Sequence, residues 1–419
     1  MLSPGLHRGI HRSHRNAQKI APALAAGNAI VLKPASWSPL VCLAFARIVE
    51  AAGLPPGIFS TLPGAGSIVG DRLVTHPAIK KVSFTGGTEV GRGIARKASE
   101  KLMPVSLELG GKSPTIVFAD ADIDLAIAGV LFGIFSSTGQ SCIAGSRLFI
   151  ERRIYDSFVA RLVAAAKALR IGHSFDKTTQ VAPLIHADHR DAVEAHIRRA
   201  REDGAEILAG GNRPEGRTFE QGVFFEPTIL AGLDNTSRLC RDEVFGPVLA
   251  VLPFDDETDV IAQGNDNAYG LACGIYTRDF AKAWRVGRAI DAGTVWINTY
   301  KQFSIATPFG GVKDSGLGRG ERTRRYSRLD GAKVSLCRHE RRAASLGEVK
   351  MTEAQSQDKP DVLLDVRLRR IGWEADGVLA LEFSAVDGGD LPPFEPGAHV
   401  DLHLGDGLLR QYSALRRSG

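Results

Sequence analysis

From Ile20 onward, short β-branched runs alternate with stretches whose apolar positions recur at helical spacing. Residues 29–33 read as a strand, 39–52 as a helix and 81–84 as a second strand. Parallel strands need a crossover and a helix supplies it, so this order predicts a mostly parallel sheet with helices on its faces. A second α/β block follows, with helices expected near 154–169 and 186–203 and strands at 248–252 and 294–297. No segment repeats another. Past about Gly316 the pattern gives way to Arg-rich sequence, and residues 353–360 read as a polar linker. Alternation resumes at 362–368 and 378–383, and Pro392-Pro393 and Pro396-Gly397 mark turns before a strand within 398–402. This last block is too short to be a complete domain.

The chain has 419 residues, 44% hydrophobic and 24% charged, enough for two or more cored domains. No run approaches the ~18 apolar residues of a membrane helix, and the N-terminus has no apolar signal-peptide core, so a soluble, cytoplasmic protein with no membrane partner is expected. Cys42, Cys142, Cys240, Cys273 and Cys337 are widely spaced and odd in number, which indicates neither a disulfide framework nor a zinc site. The net charge of +5 is uneven, with residues 1–19 carrying +4 and residues 317–342 carrying +6, so the remainder is acidic. An excess confined to two segments without interleaved aromatics gives no nucleic-acid face.

Three local patterns carry chemistry. Cys142 lies among small residues in Gly139-Gln140-Ser141-Cys142-Ile143-Ala144-Gly145-Ser146-Arg147, where a substrate can reach the sulfur and backbone N–H groups can face an oxyanion. A buried structural cysteine fits the spacing equally well. Glu108 sits at the end of an apolar strand before Gly110-Gly111, a partly desolvated setting of the kind a general base uses. A solvated strand-end glutamate is the alternative. Gly86-Gly87 follows one strand and opens a helix, so its N–H groups could hold a pyrophosphate, although strand–glycine–helix is also an ordinary turn.

Six motifs in order make the chain similar to the aldehyde dehydrogenase superfamily over about residues 17–318. They are Lys33-Pro34, Phe84-Thr85-Gly86-Gly87-Thr88, Glu108-Leu109-Gly110-Gly111-Lys112, Gly139-Gln140-Ser141-Cys142, Glu243-Val244-Phe245-Gly246-Pro247-Val248 and Pro308-Phe309-Gly310-Gly311-Val312-Lys313. The resemblance implies an α/β fold with a partial Rossmann-like cofactor domain over 17–110 and an α/β catalytic domain over 111–316. It implies that Cys142 attacks an aldehyde to give a thiohemiacetal and then a thioester, and that Glu108 activates the hydrolytic water. It further implies that Lys33 and Glu243 bond the two cofactor riboses, that Gly86 and Gly87 line the pyrophosphate, and that Phe245 packs near the nicotinamide ribose. The cofactor would be NAD or NADP and the partner a small-molecule aldehyde. Homo-oligomers are typical of the family.

The chain departs from the family pattern in three places. Ile10 stands where the register puts an oxyanion-hole Asn, and the family's N-terminal third, with part of its subunit-bridging arm, has no counterpart. Residues 1–16 read as an atypical N-terminus, and His7, His11 and His14 are not expected to bind metal. Ser36 stands where many NAD-preferring members place a Glu that repels a 2′-phosphate, which leaves NADP open. Beyond a degraded bridging segment (317–340) and a linker (341–360), residues 361–419 resemble the start of the flavin barrel of phthalate dioxygenase reductase-type proteins. The resemblance rests on Phe394-Glu395-Pro396-Gly397-Ala398-His399-Val400-Asp401-Leu402 and Arg410-Gln411-Tyr412-Ser413. So short a barrel is not expected to hold FAD or FMN. With Met351 as a former start codon, the chain reads as a truncated gene fusion. Two alternatives to aldehyde oxidation stand beside it: a catalytically impaired remnant that at most binds nucleotide, and a flavin-dependent reductase fragment.

Overall fold

The computed structural model describes residues 17–303 and 307–319, together with the backbone of strands at 334–337, 366–375, 378–385, 399–404 and 408–413. The atypical N-terminus 1–16, the linker 341–360, most of 317–340 and the turn-flanked run 394–398 lie outside the described residues. The chain divides into two units, residues 1–341 and 342–419.

In the first unit a helical stretch over 17–25 leads into β1 (Ile30–Leu32), α1 (Leu40–Ala51) and β2 (Phe59–Thr61), with β2 parallel to β1. Helix α1 stops before Gly53, whose φ of +77° is a left-handed turn that ordinary side chains avoid. The next unit of the same kind is β3 (Val82–Thr85), α2 (Thr88–Ser99) and β4 (Val105–Glu108), again with parallel strands. Glu89 in the first turn of α2 and Arg96 and Lys97 in the last complement the helix dipole.

The larger block runs β5 (Pro114–Val117), α3 (Ile123–Phe135), β6 (Arg147–Glu151), α4 (Tyr155–Lys167), α5 (Ala187–Glu202), β7 (Glu206–Ala209), β8 (Thr228–Ala231) and β9 (Val248–Phe254). It continues with α6 (Glu257–Asn265), β10 (Tyr269–Gly270), β11 (Ala272–Tyr276), α7 (Phe280–Ala289), β12 (Thr294–Ile297), β13 (Val312–Lys313), β14 (Gly316–Leu317) and β15 (Val334–Cys337). Eight strands form one sheet in the order β15-β12-β11-β5-β6-β9-β8-β7, parallel except for the edge strand β7. The side chains of Asp122, His186, Asp256 and Asp279 each accept from a backbone N–H three residues on, which fixes where α3, α5, α6 and α7 begin.

Strand residues alternate between two cores, as the two-residue repeat of a strand requires. Ile116, Phe149, Ala250 and Ile275 pack with Val193, Ile197, Val260 and Val286 on one face. Val117, Leu148, Leu249 and Val251 pack with Val130, Ile134, Phe158 and Leu162 on the other. Burial on both faces explains why these strands are continuously apolar. Strands β3 and β4 instead belong to a small sheet in which β14 returns antiparallel to β4 and sets Gly316 beside Glu108.

In the second unit β16 (Val366–Ala375) pairs antiparallel with β17 (Val378–Ala385), and β18 (His399–Leu404) with β19 (Leu408–Ser413). The strand expected over 362–368 is described from Val366 and runs to Ala375, because pairing with β17 carries it past the segment where its own alternation is clear. Among the described residues no helix is long and apolar enough to cross a membrane.

Candidate active site

Helix α3 ends at Phe135, and the chain then turns through Ser137 (φ +55°), Thr138 (φ +56°) and Gly139 (φ +66°). Left-handed backbone costs an ordinary residue ~1–2 kcal/mol, so this turn must be held by its surroundings. The buried Thr138 hydroxyl donates to the Ala182 carbonyl at 2.6 Å. A Cβ on Gly139 would collide with the Gly246 carbonyl, so only glycine fits. Cys142 follows this turn, half-buried, and its carbonyl lies against the α-carbon of Gly111.

Glu108 closes β4 with its side chain 13% exposed. One carboxylate oxygen faces Lys19 Nζ at 3.4 Å, the other accepts from the Thr85 hydroxyl at 3.2 Å, and Lys19 Nζ also donates to Thr85 Oγ1 at 2.6 Å. Thr85 is the rung partner of Glu108 across the parallel β3–β4 pair. Lys19 and Thr85 were not picked out as site residues from the sequence, and nothing local marks them, since Lys19 is 66 residues from Thr85. Gly111 is three residue steps from Glu108, a reach of at most ~11 Å along the chain.

The loop bearing Glu243 completes the group. Its Oε1 accepts from the Gly111 N–H at 3.2 Å, and its Oε2 fills the space beside the α-carbon of Gly110. Burial pushes this carboxyl up to about 7, against the opposing pulls of the Gly111 N–H and Lys112. The wholly buried Lys112 is pushed down to about 8 by desolvation. Behind them Arg147 is buried and donates to the carbonyls of Lys112 (2.9 Å), Gln263 (3.2 Å) and Gly264 (3.0 Å) and to Asn235 Oδ1 (2.8 Å). These bonds tie the glycine pair to the cysteine loop from within.

Phe245, 40% exposed, holds φ +53°, and His189 Nε2 donates to its carbonyl at 2.8 Å. The backbone N–H of His189 donates to His186 Nδ1, and the His186 ring stacks on Trp37 with centroids 4.2 Å apart. A line of rings thus joins the Phe245 loop to the segment carrying Lys33 and Ser36. Lys33 Nζ donates to the Pro34 carbonyl at 2.8 Å, and Ser36 is exposed. The expectation for the two glycines narrows, because the Gly86 N–H donates to the Glu108 carbonyl at 3.1 Å. Gly87 remains at the start of α2 with no side-chain cap, and nothing lies within 4 Å of where its Cβ would be. An uncapped helix start facing open space, with a half-buried carboxyl and an exposed phenyl ring on the facing loop, suits a dinucleotide's phosphates, ribose and base.

On its other flank Cys142 packs with an apolar cluster of Ile143, Leu271, Ala272, Trp296, Tyr300 and Phe309. Trp296 Nε1 donates to the Gln302 carbonyl at 2.7 Å, and Phe303, 42% exposed, meets Trp296 and Phe309 edge-on at 5.6 and 5.5 Å. The structure therefore gathers Cys142, Glu108, Gly86, Glu243 and Phe245 around Gly110-Gly111, and sets Lys33 and Ser36 apart at the far end of the Trp37 segment.

The model of the aldehyde dehydrogenase family matches residues 14–329. Betaine aldehyde dehydrogenases of Brucella melitensis and Brucella ovis are 47% and 46% identical over 303 residues, 72% of this chain and 62% of theirs. A solved betaine aldehyde dehydrogenase of Staphylococcus aureus in complex with NAD+ is 40% identical with a TM-score of 0.72, covering 73% of this chain and 61% of that one. The chain thus spans somewhat under two thirds of the length of these relatives, in the part where the thiol, base and glycine motifs lie. By sequence and by fold, the chain belongs to the aldehyde dehydrogenase family.

Proposed function

We propose that the chain carries the thiol, the base and part of the cofactor site for NAD(P)-dependent oxidation of an aldehyde to a carboxylic acid. One observation carries the reading: Gly110-Gly111, three residues from Glu108, lies against the Cys142 carbonyl on one side and the Glu243 carboxyl on the other. A half-exposed thiol, a sheltered carboxylate and the acid assigned to a ribose thereby sit around one short loop. Residues 17–110 would form the cofactor part and 111–316 the thiol part, in a cytoplasmic protein. Ser36 presents no carboxylate to a 2′-phosphate, which suits NADP as well as NAD. The tail, a fragment resembling a flavin barrel, enters none of the steps proposed here.

Cys142 Sγ attacks the carbonyl carbon, forming a C–S bond and moving the carbonyl electrons onto oxygen. Bound NAD(P)+ supplies the two-electron acceptor for the hydride that leaves this carbon. Lys33 and Glu243 would hold its riboses, Gly87 and the start of α2 its diphosphate, and Phe245 its nicotinamide end. Glu108 takes a proton from water, the hydroxide adds to the thioester, and the C–S bond breaks to release the acid and restore the thiolate. Lys19 and Thr85 hold the Glu108 carboxylate in place for this step. The hydrolytic base favours a free acid over acyl transfer to another carrier.

Purified full-length chain should form NADH or NADPH from an aldehyde panel of aliphatic, aromatic and charged members, and Cys142→Ala should abolish it. Folded protein that turns over none of them, with either cofactor, would sink the reading in favour of a remnant that only binds nucleotide.

A further inference from the structure

We infer that Gln140 is a positioning residue for the thiol, its side chain fastening the turn that delivers Cys142 to the buried segment in front of α5. The inference rests on the reading of Cys142 as the reacting thiol, and it names a side chain on which the aim of that sulfur depends.

Ser137, Thr138 and Gly139 run left-handed in succession. The next residue, Gln140 at φ −79° and ψ +64°, lies at the apex of a tight turn in which the Ser141 N–H donates to the Gly139 carbonyl at 2.8 Å. Ser137 and Thr138 lack the freedom of glycine, so this path persists only where contacts from outside impose it. Gln140 supplies such contacts in two directions. Its main-chain N–H and its Nε2 both donate to the Ser137 carbonyl, at 3.1 and 3.4 Å. Its Oε1 accepts from the Ile185 N–H at 2.9 Å, a partner 45 residues along the chain.

The segment that receives this bond is anchored on its own account. Ala182 and Leu184 are buried, the Leu184 N–H donates to the Val223 carbonyl at 2.8 Å, and His186 caps α5. The Thr138 hydroxyl reaches the same segment at Ala182, but the tie through Gln140 is the nearer to the sulfur. Two residue steps separate Gln140 from Cys142, so their α-carbons lie at most ~7 Å apart. Just beyond, the Cys142 carbonyl lies against the α-carbon of Gly111. The backbone that bears the sulfur is therefore held before and after it, while the side chain keeps its own rotation. Attack on a carbonyl carbon demands alignment, and an error of about 1 Å in a reacting atom can cost up to ~100-fold in rate. A side chain at 140 that keeps the acceptor keeps this alignment, and one that loses it lets the turn drift.

Two reactions at one sulfur test this in the full-length chain and its Gln140→Leu and Gln140→Glu forms. Leucine offers the Ile185 N–H no acceptor, whereas glutamate keeps an oxygen at the same reach. Aldehyde oxidation needs the sulfur aimed. Alkylation by iodoacetamide, in which Cys142 forms a C–S bond and iodide leaves, needs it only exposed, and its rate is read by mass spectrometry of the Cys142 peptide. Gln140→Leu should lower kcat/KM for the aldehyde about tenfold, raise the alkylation rate about fivefold and leave the cofactor Kd within about twofold. Gln140→Glu should bring both rates back to within about twofold of the wild type. A general loss of structure would instead move both rates, the cofactor Kd and the melting temperature together, and would overturn the inference. So would a Gln140→Leu form whose kcat/KM stays at the wild-type value or whose alkylation is not faster, or a Gln140→Glu form that behaves like it. Should Gln140→Leu not fold, Gln140→Ala is judged by the same two rates. If the wild type oxidises no aldehyde, the proposed reaction fails, while the alkylation rates still judge Gln140.

Discussion

Glu243→Gln keeps an oxygen to accept the Gly111 N–H and nearly the same volume, so it removes little besides titration. In the folded chain burial holds the Glu243 carboxyl near 7, against an ordinary 4.5. Between these values the unfolded chain has released the proton and the folded chain has not, so the unfolded state gains stability as pH rises. The contribution of Glu243 to folding is therefore fully present below pH 4.5 and lost as pH climbs through about 7. At ~1.36 kcal/mol per pH unit the loss is at most ~3 kcal/mol, less where water still screens the carboxyl. Urea unfolding of wild type and Glu243→Gln, followed by fluorescence from pH 4.5 to 8, should show the Gln variant gaining by up to ~3 kcal/mol over this range, with most of the change complete by pH 7. A difference independent of pH would refute the claim that Glu243 is desolvated here.

Lys19→Met removes the cation beside Glu108 while leaving the thiol intact, so hydrolysis should slow ~10-fold and a burst of reduced cofactor should precede steady turnover in stopped flow. Gly139→Ala sets a methyl against the Gly246 carbonyl at φ +66°, and should lower the unfolding free energy by at least ~1–3 kcal/mol and weaken cofactor binding together with activity, seen by thermal melting and titration. Arg147→Met strands three carbonyls and an amide oxygen in the interior, and is expected to cost ~3–5 kcal/mol or to give insoluble protein, scored by soluble yield and melting temperature.

Much of the scaffold could be read in advance because its signal is local. The apolar run at 248–252 lies within β9 and the one at 294–297 coincides with β12, and each is buried on both faces. Cys142 and Glu108 are singled out by the order of six motifs along the chain, since local spacing alone fits a structural cysteine and a solvated glutamate as well. The electrostatic partners were not legible in this way. Gly111 meets Glu243 across 132 residues, and Lys19 meets Thr85 across 66, so no window of sequence contains both members of either pair. Arg147 was visible only as the end of the cysteine motif, since its acceptors are mostly backbone carbonyls and carry no side-chain signature. The stacking of Trp37 on His186 escapes for the same reason, as packing between distant loops leaves no periodicity behind.

The two groups proposed to react differ in how they are mounted. Glu108 occupies a rung of a three-strand ladder, with Thr85 on one side and Gly316 on the other, whereas Cys142 rides on a turn. Moving a ladder residue means breaking hydrogen bonds to both neighbours, while a turn can shift by small rotations of a few bonds. On the proposed chemistry, compliance toward aldehydes of different bulk would fall to the sulfur and the aromatic loop beside it, and the base would act as the fixed datum against which they adjust. New substrate ranges would then arise by changes in the turn around Cys142 and the loop at Phe303, with the strand that carries Glu108 left untouched.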